Sequence, residues 1–447
     1  MTNVVYIHTH DSGRFFSPYG AEVFTPNLKQ FAADACVFTN AYCTSPTCSP
    51  SRSALVSGRY PHNNGMLGLA NRGFKLNDYR EHLVHLFNRN GYQTLLCGVQ
   101  HEAGRYVEHE QGAAIIGYQR DLSADNQGMS EKQLVEWDQA NVRNCTKWLS
   151  SKEAKKPFFL SMGFFATHRE YPDTDDCFAG KIPPYLQDCE AVRKDLQGHA
   201  ASLKHFDTCF GQLIQALKEN HLYEDTILLF TTDHGIPYPR AKCTLYDAGI
   251  GVALIMRVPD KKQGIVCDEL VSQVDLYPTL CSLLKLELEH EVDGVDFSSL
   301  FDHPNQAVRE AVFAQVNFHT SYEPIRCIRT KTAKLIRYYD EEWRQLNLSN
   351  IDNSISKEAY LKQLEDSKKE MVQLYDLSKD PYEQHNLAGN EAYQSLLEEM
   401  DAKLLKWQQD FNDPLLKGPI ALQAGWIVNK GSCIDPKSKN SCDFIQK

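Results

Sequence analysis

Groups that can do chemistry recur in this chain at the points where short apolar runs stop. His10-Asp11 follows an apolar run at residues 4–9, and His101 closes Gly98-Val99-Gln100-His101 after a run at 92–97. His168-Arg169 follows residues 157–165, and Asp233-His234 follows 226–232. Carboxylates and imidazoles set in pairs can hold a divalent cation; oxygen-rich sets suit calcium, whereas imidazole suits softer metals. Cys48 opens the stretch Cys48-Ser49-Pro50-Ser51-Arg52-Ser53-Ala54-Leu55-Val56-Ser57-Gly58-Arg59, and Lys242 opens Lys242-Cys243-Thr244-Leu245-Tyr246-Asp247-Ala248-Gly249. Taken singly, each has an ordinary reading. Asp-His-Gly is a common turn, a lysine is usually solvated, and Cys48 is one of 14 cysteines. Their shared placement after strands argues for one composite site.

The elements that must position these groups alternate along the first 300 residues. Strands are expected at 4–9, 92–97, 157–165 and 226–232, with helices at 81–90 and 205–219, where apolar residues recur at helical spacing. Such alternation gives an α/β domain with a largely parallel sheet, in which ligands sit beyond the carboxyl ends of the strands. A boundary is expected near 301–310, dividing a catalytic domain at 1–305 from a smaller α+β domain at 306–447. In the latter, residues 325–330 and 334–339 read as hairpin strands, 374–377 as a further strand and 391–411 as a long helix. The last thirty residues read as an irregular tail.

Composition narrows the partners. The 447 residues carry a formal net charge of −11, which argues against nucleic acid, since phosphate binding needs a broad basic surface. Screening over about 8–10 Å still allows a local cationic pocket to hold one anionic group. A small or chain-end anionic substrate fits this charge better than a long polymer lying across the surface. No apolar run approaches the roughly 20 residues that span a membrane. The N-terminus opens straight into Asn3-Val4-Val5-Tyr6-Ile7 with no signal-peptide pattern, so the expected location is cytoplasmic unless a leader has been removed. The scattered cysteines, with no CxxC pair, are expected to be reduced, Cys433 and Cys442 included. In that compartment the sequons at Asn144 and Asn347 carry no meaning. The oligomeric state is not legible.

The stretch from Cys48 to Arg59 resembles the signature of type I, formylglycine-dependent sulfatases, and the resemblance extends from Asn3 to about Pro414. Within that family the chain is most similar to heparan N-sulfatases, which remove N-linked sulfate from terminal glucosamine. The matching segments include Asn64-Gly65-Met66-Leu67-Gly68-Leu69, Asp233-His234-Gly235-Ile236-Pro237-Tyr238-Pro239 and Leu374-Tyr375-Asp376. Asp380-Pro381-Tyr382-Glu383-Gln384-His385-Asn386-Leu387-Ala388 also matches, though other sulfatases share much of it.

The resemblance implies an alkaline-phosphatase-like fold and a set of roles. Cys48 would be oxidised to Cα-formylglycine by a maturation enzyme, either formylglycine-generating or anaerobic, that reads Pro50 and Arg52. The hydrated aldehyde is a nucleophile with a built-in release step, which a free thiol lacks. Arg52 would hold the modified residue. One divalent metal, calcium in the first instance with magnesium, manganese or zinc as alternatives, would sit among His10, Asp11, Cys48, Asp233 and His234. His101 would act as base, His168 would face the leaving group, and Lys242 would bind sulfate. Arg169 and His319 are added as substrate contacts, while His8 is expected to be structural. Two positions depart from the family: His10 stands where aspartate is usual, and Val99 where lysine is usual. The implied substrate is a small sulfated saccharide, with N-sulfoglucosamine first. O-sulfated glycosaminoglycan sugars and phosphonate monoesters or phosphodiesters are the alternatives. A non-catalytic glycan binder would be expected to lack Cys48, Asp233 or Lys242, and all three are present.

Overall fold

The computed structural model describes residues 1–104, 109–174, 178–341 and 343–445. In chain order the first strands are β1 (Asn3–Thr9), β2 (Cys36–Phe38), β3 (Ala41–Tyr42), β4 (Gln93–Gly98) and β5 (Arg120–Asp121). They are followed by β6 (Phe158–Gly163), β7 (Thr226–Thr232), β8 (Leu254–Arg257), β9 (Ile265–Cys267) and β10 (Val271–Ser272). Eight of them form one sheet in the order β5-β4-β6-β1-β7-β8-β2-β9. The five from β5 to β7 run parallel, and antiparallel β8 turns the sheet's far edge. β3 and β10 make a separate parallel pair.

β1 lies at the centre, and all seven of its residues are buried. Its alternation shows how the sheet divides two cores: Val5 and Ile7 pack with Leu160, Phe206 and Phe210 on one side, whereas Val4 and Tyr6 pack with Leu55, Leu86 and Phe87 on the other. A strand buried on both faces has no polar side, which is why it reads as a continuous apolar run.

Two helices departed from expectation. The one anticipated at 205–219 runs from Glu190 to Glu219. Its first half buries Asp195, His199 and Ser202 beside Val192 and Leu196, so polar residues occupy its inner face and blur the helical stripe. A helix at Cys48–Ser57 gave no periodic signal at all, because all ten residues are buried, serines and Arg52 included. The helix expected at 81–90 is Leu83–Arg89, preceded by a 3-10 turn at Tyr79–Glu81.

A second sheet is antiparallel throughout, in the order β11 (Ala311–Phe318), β12 (Tyr322–Thr330), β13 (Ala333–Tyr338), β14 (Val372–Asp376). The helix Gln394–Asp410 covers it with Met400, Leu404 and Trp407, which pack on Ile328, Leu335 and Leu374. The tail beyond is irregular but tied down. The Asn429 N–H donates to Thr320 O (2.7 Å), and the Ile445 N–H to Val428 O (2.9 Å). Thirteen described cysteines are free, Cys433 and Cys442 among them; Cys177 lies outside the described residues. No described helix is long and apolar enough to cross a membrane.

Candidate active site

The parallel strands deliver their polar residues to one end of the sheet, and the chain bends sharply as each strand stops. Asp11 (φ 42°), His101 (φ 55°) and Thr167 (φ 82°) all adopt left-handed backbone just past β1, β4 and β6. Non-glycine residues rarely sit there, and such strain persists where the surroundings hold it. Here they do. Asp138 accepts the Phe165 and Ala166 N–H groups (2.8 and 2.7 Å), and the Thr167 hydroxyl donates to His10 O. Gln100 Oε1 accepts the Ala103 N–H at 2.8 Å, closing the turn that carries His101. Gly163 permits the close crossing beneath, since a Cβ there would stand 1.9 Å from Val99 O.

Cys48 is the first residue of its helix, and its Sγ lies 3.4 Å from His234 Nε2. Arg52, one turn on, points back into the sheet and donates to Asp233 Oδ2 (3.0 Å) and Thr9 O (3.2 Å). His8 receives the same guanidinium, bonds Ser161 Oγ at 3.2 Å and stacks on Tyr6, so it is structural as expected. Asp233 Oδ1 accepts the N–H groups of Asp11 and His234, both at 2.9 Å. Burial alone would raise the Asp233 carboxyl, but His234 and Arg52 beside it hold it well below the usual carboxylate range.

One ligand atom from each of His10, Asp11, Cys48 and Asp233 lies within 4.8 Å of the others, all buried. Two observations test whether a cation fits. Both ring nitrogens of His10 are buried without a hydrogen-bond partner, and Nδ1 stands 3.5 Å from Asp233 Oδ2. His234 Nδ1 donates to Gly235 O at 3.0 Å, which turns Nε2 toward Asp11 Oδ1 at 3.1 Å and Cys48 Sγ at 3.4 Å. An imidazole nitrogen, a sulfur and a buried carboxylate oxygen with no hydrogen-bond partner, facing one another, make a donor set that fits a divalent metal.

The remaining residues surround the thiol. Lys242 Nζ is 3.1 Å from Asp11 Oδ2 and 2.8 Å from Asp352 Oδ2. A cavity of about 730 Å³ opens onto Cys48 and is lined by His101, His168, Arg169, Lys242 and His319. His319 therefore reaches it from the second sheet, at the end of β11. Arg169 borders the cavity, but its guanidinium turns away to Asp195 Oδ2 (2.8 Å) and Pro237 O (3.1 Å). Val99 is fully buried in the core, leaving the position of the family's usual lysine without a cation. Burial, reinforced by Arg52, pushes His10 and His101 well below the usual imidazole range, so both rings are neutral near pH 7. Burial likewise pushes the Cys48 thiol well up, despite Lys242.

Three components of the cavity carry no sequence signal. Asp352 and Arg72 carry no motif, and the tail contributes Pro436, Lys437 and Phe444 to the wall. Arg72 anchors that tail, donating to Ile427 O (3.2 Å), Asn429 Oδ1 (3.0 Å) and Pro436 O (2.8 Å).

The family model described as Sulfatase matches residues 2–286, nearly two-thirds of the chain and all strands of the first sheet. The chain belongs to the sulfatase family. A second model, N-sulphoglucosamine sulphohydrolase, C-terminal, matches residues 240–366. An ulvan-active sulfatase of Formosa agariphila is 25% identical, covering 92% of this chain and 75% of that protein. Human N-sulphoglucosamine sulphohydrolase is also 25% identical, covering 93% and 92%. A structure solved with its substrate D-glucosamine-2-N,6-O-disulfate aligns with a TM-score of 0.72 at 17% identity, covering 92% of this sulfatase and 98% of that chain. The fold is the alkaline-phosphatase-like one of the solved sulfatases, and the enzyme is a sulfatase, a hydrolase of sulfate groups.

Proposed function

We propose that this sulfatase removes the N-linked sulfate of glucosamine from a small or chain-end saccharide, with a nucleophile made from Cys48. The observation that carries the nucleophile is the placement of Cys48 Sγ. It sits at a helix N-terminus, 3.4 Å from His234 Nε2, at the floor of a cavity walled by His101, His168 and Lys242. The upward-shifted thiol argues against direct attack by Cys48 itself, because the thiolate that would attack is scarce near neutral pH. Formylglycine at this position supplies, as its hydrate, one hydroxyl to attack sulfur and a second whose proton loss expels sulfate. A divalent metal, for which we propose calcium, would be held by His10, Asp11, Asp233 and His234 with residue 48. It would lower the nucleophile's pKa and draw charge from the sulfate oxygens.

The chain's own residues do the rest. Neutral His101, with a ring nitrogen within 4.8 Å of Cys48 Sγ, takes a proton from the residue 48 hydroxyl. Lys242, held charged by Asp11 and Asp352 against the effect of burial, binds a sulfate oxygen. His168, past the end of β6 on the cavity wall, protonates the leaving atom. The N-sulfate assignment rests on the match of residues 240–366 to the C-terminal N-sulphoglucosamine sulphohydrolase model and on the similarity to the human enzyme of that name.

The ulvan-active relative favours a second reading, an O-sulfatase acting on polysaccharide-derived sugars. A substrate panel with matured enzyme separates them. N-sulfoglucosamine, 6-O- and 2-O-sulfated sugars and an aryl phosphodiester are compared by sulfate or phosphate release. The proposal expects sulfate from N-sulfoglucosamine at the highest kcat/KM. Activity confined to O-sulfated sugars would replace the assignment, and faster phosphodiester cleavage would remove it.

A further inference from the structure

An anion sits where an enzyme for anions should not want one. Asp352 lines the same cavity as Cys48, His101 and His168, and its Oδ2 is 2.8 Å from the lysine assigned to sulfate. A carboxylate there repels an incoming sulfate, and Lys242 can offset that repulsion only by dividing its charge between two carboxylates, Asp11 and Asp352. Asp352 Oδ1 has no hydrogen-bond partner among the described residues, and the side chain is 20% exposed, against 4% for Lys242. One oxygen is thus anchored while the other remains open to the cavity.

The backbone around it is fixed from three directions. Lys357 Nζ donates to Ile351 O at 2.8 Å, and Asn353 Nδ2 to Asp435 Oδ1 of the tail at 2.8 Å. Asn350 Oδ1 accepts the N–H groups of Thr320 (3.1 Å) and Ser321 (3.0 Å), which ties this turn to the loop bearing His319. A carboxylate so held is preorganised as an acceptor, and the ligand group that satisfies it must be a donor. Sulfate has no such donor. The sugar ring has hydroxyl and amine groups that do.

We propose that Asp352 is a specificity-determining residue, whose carboxylate accepts a hydrogen bond from a hydroxyl or amine of the sugar ring that carries the sulfate. This rests on the sulfated-sugar reading given above. It also assigns a role to the second sheet's domain, which supplies ring recognition while the first sheet's domain supplies the sulfate chemistry.

The test compares wild type with Asp352→Asn on two substrates, N-sulfoglucosamine and an aryl sulfate that lacks ring donors. Calorimetric binding of glucosamine, which needs no turnover, is measured alongside. Losing a hydrogen bond to a charged acceptor predicts a fall of about ten- to a hundredfold in kcat/KM on the sugar, chiefly through KM. Aryl sulfate turnover reads whatever the change does through Lys242, the melting temperature serves as the control for folding, and the loss on the sugar should exceed the loss on aryl sulfate by about tenfold or more, with glucosamine binding weakened about tenfold. An equal loss on both substrates would overturn the proposal by showing that Asp352 acts only through Lys242. Unchanged sugar kinetics would overturn it as well. Wild type that turns over aryl sulfate but neither binds nor cleaves the amino sugar would instead refute the sugar reading itself.

Discussion

At the scale of the residue, the site runs on groups forced out of their solution behaviour. Cys48 is the sharpest case, and Cys48→Ala should leave the melting temperature within a few degrees while cutting sulfate release by at least about 10³-fold. Residual activity near wild type would deny it the nucleophile's role. A second residue acts through stability. Burial pushes the Asp138 carboxyl from 3.8 to about 8, against two N–H bonds that pull the other way. A folded pKa above the unfolded one means that the proton is held more tightly in the folded state. The stability from this group is complete below about 4 and is lost as pH rises through about 8. The melting temperature of wild type should therefore decline over that window more steeply than that of Asp138→Asn, which cannot ionise; parallel curves would count against the shift. The sequence revealed Asp11, Asp233 and His234 because each follows an apolar run at once. Arg169, expected as a substrate contact, borders the cavity while its guanidinium bonds Asp195, a pairing that nothing in the sequence around it marks.

At the scale of the element, strands were legible and helices less so. β1 and β7 are continuous apolar runs buried on both faces, so composition and length alone located them. The helix Cys48–Ser57 is buried all round yet built mostly of small polar residues, and no period could mark it. Joining of elements was invisible as well. Arg326 in β12 is fully buried, donating to both oxygens of Asp413 (2.7 and 2.9 Å) and to Val316 O (3.1 Å). It thereby binds the second sheet to the chain just past the helix Gln394–Asp410. Removing one partner of a buried ion pair strands the other, so Arg326→Ala should cost about 3–5 kcal/mol in chemical denaturation. Asp413→Ala should cost a similar amount, and the double variant less than the sum.

At the scale of the whole molecule, a chain of net charge −11 takes an anionic substrate. Long-range repulsion slows encounter and salt screens it, so kcat/KM should rise about twofold between roughly 20 and 200 mM salt, with kcat little changed. A fall over that range would mean that the cavity's own cations dominate steering. The cavity also gathers residues from Cys48 to Phe444, and such distances along the chain are why Asp352 and the tail escaped sequence reasoning. That span imposes an order in time. In the folded protein Cys48 is 2% exposed and Arg52 1%, with Pro50 also buried between them. No second protein can grip residues 48–52 in that state. If Cys48 is converted as proposed, the enzyme that oxidises it would have to meet it while the helix is still unmade, before strands β11 to β14 and the Arg72-anchored tail close over it. The yield of competent enzyme would then be a race between modification and folding, and variants that fold faster should carry a smaller modified fraction.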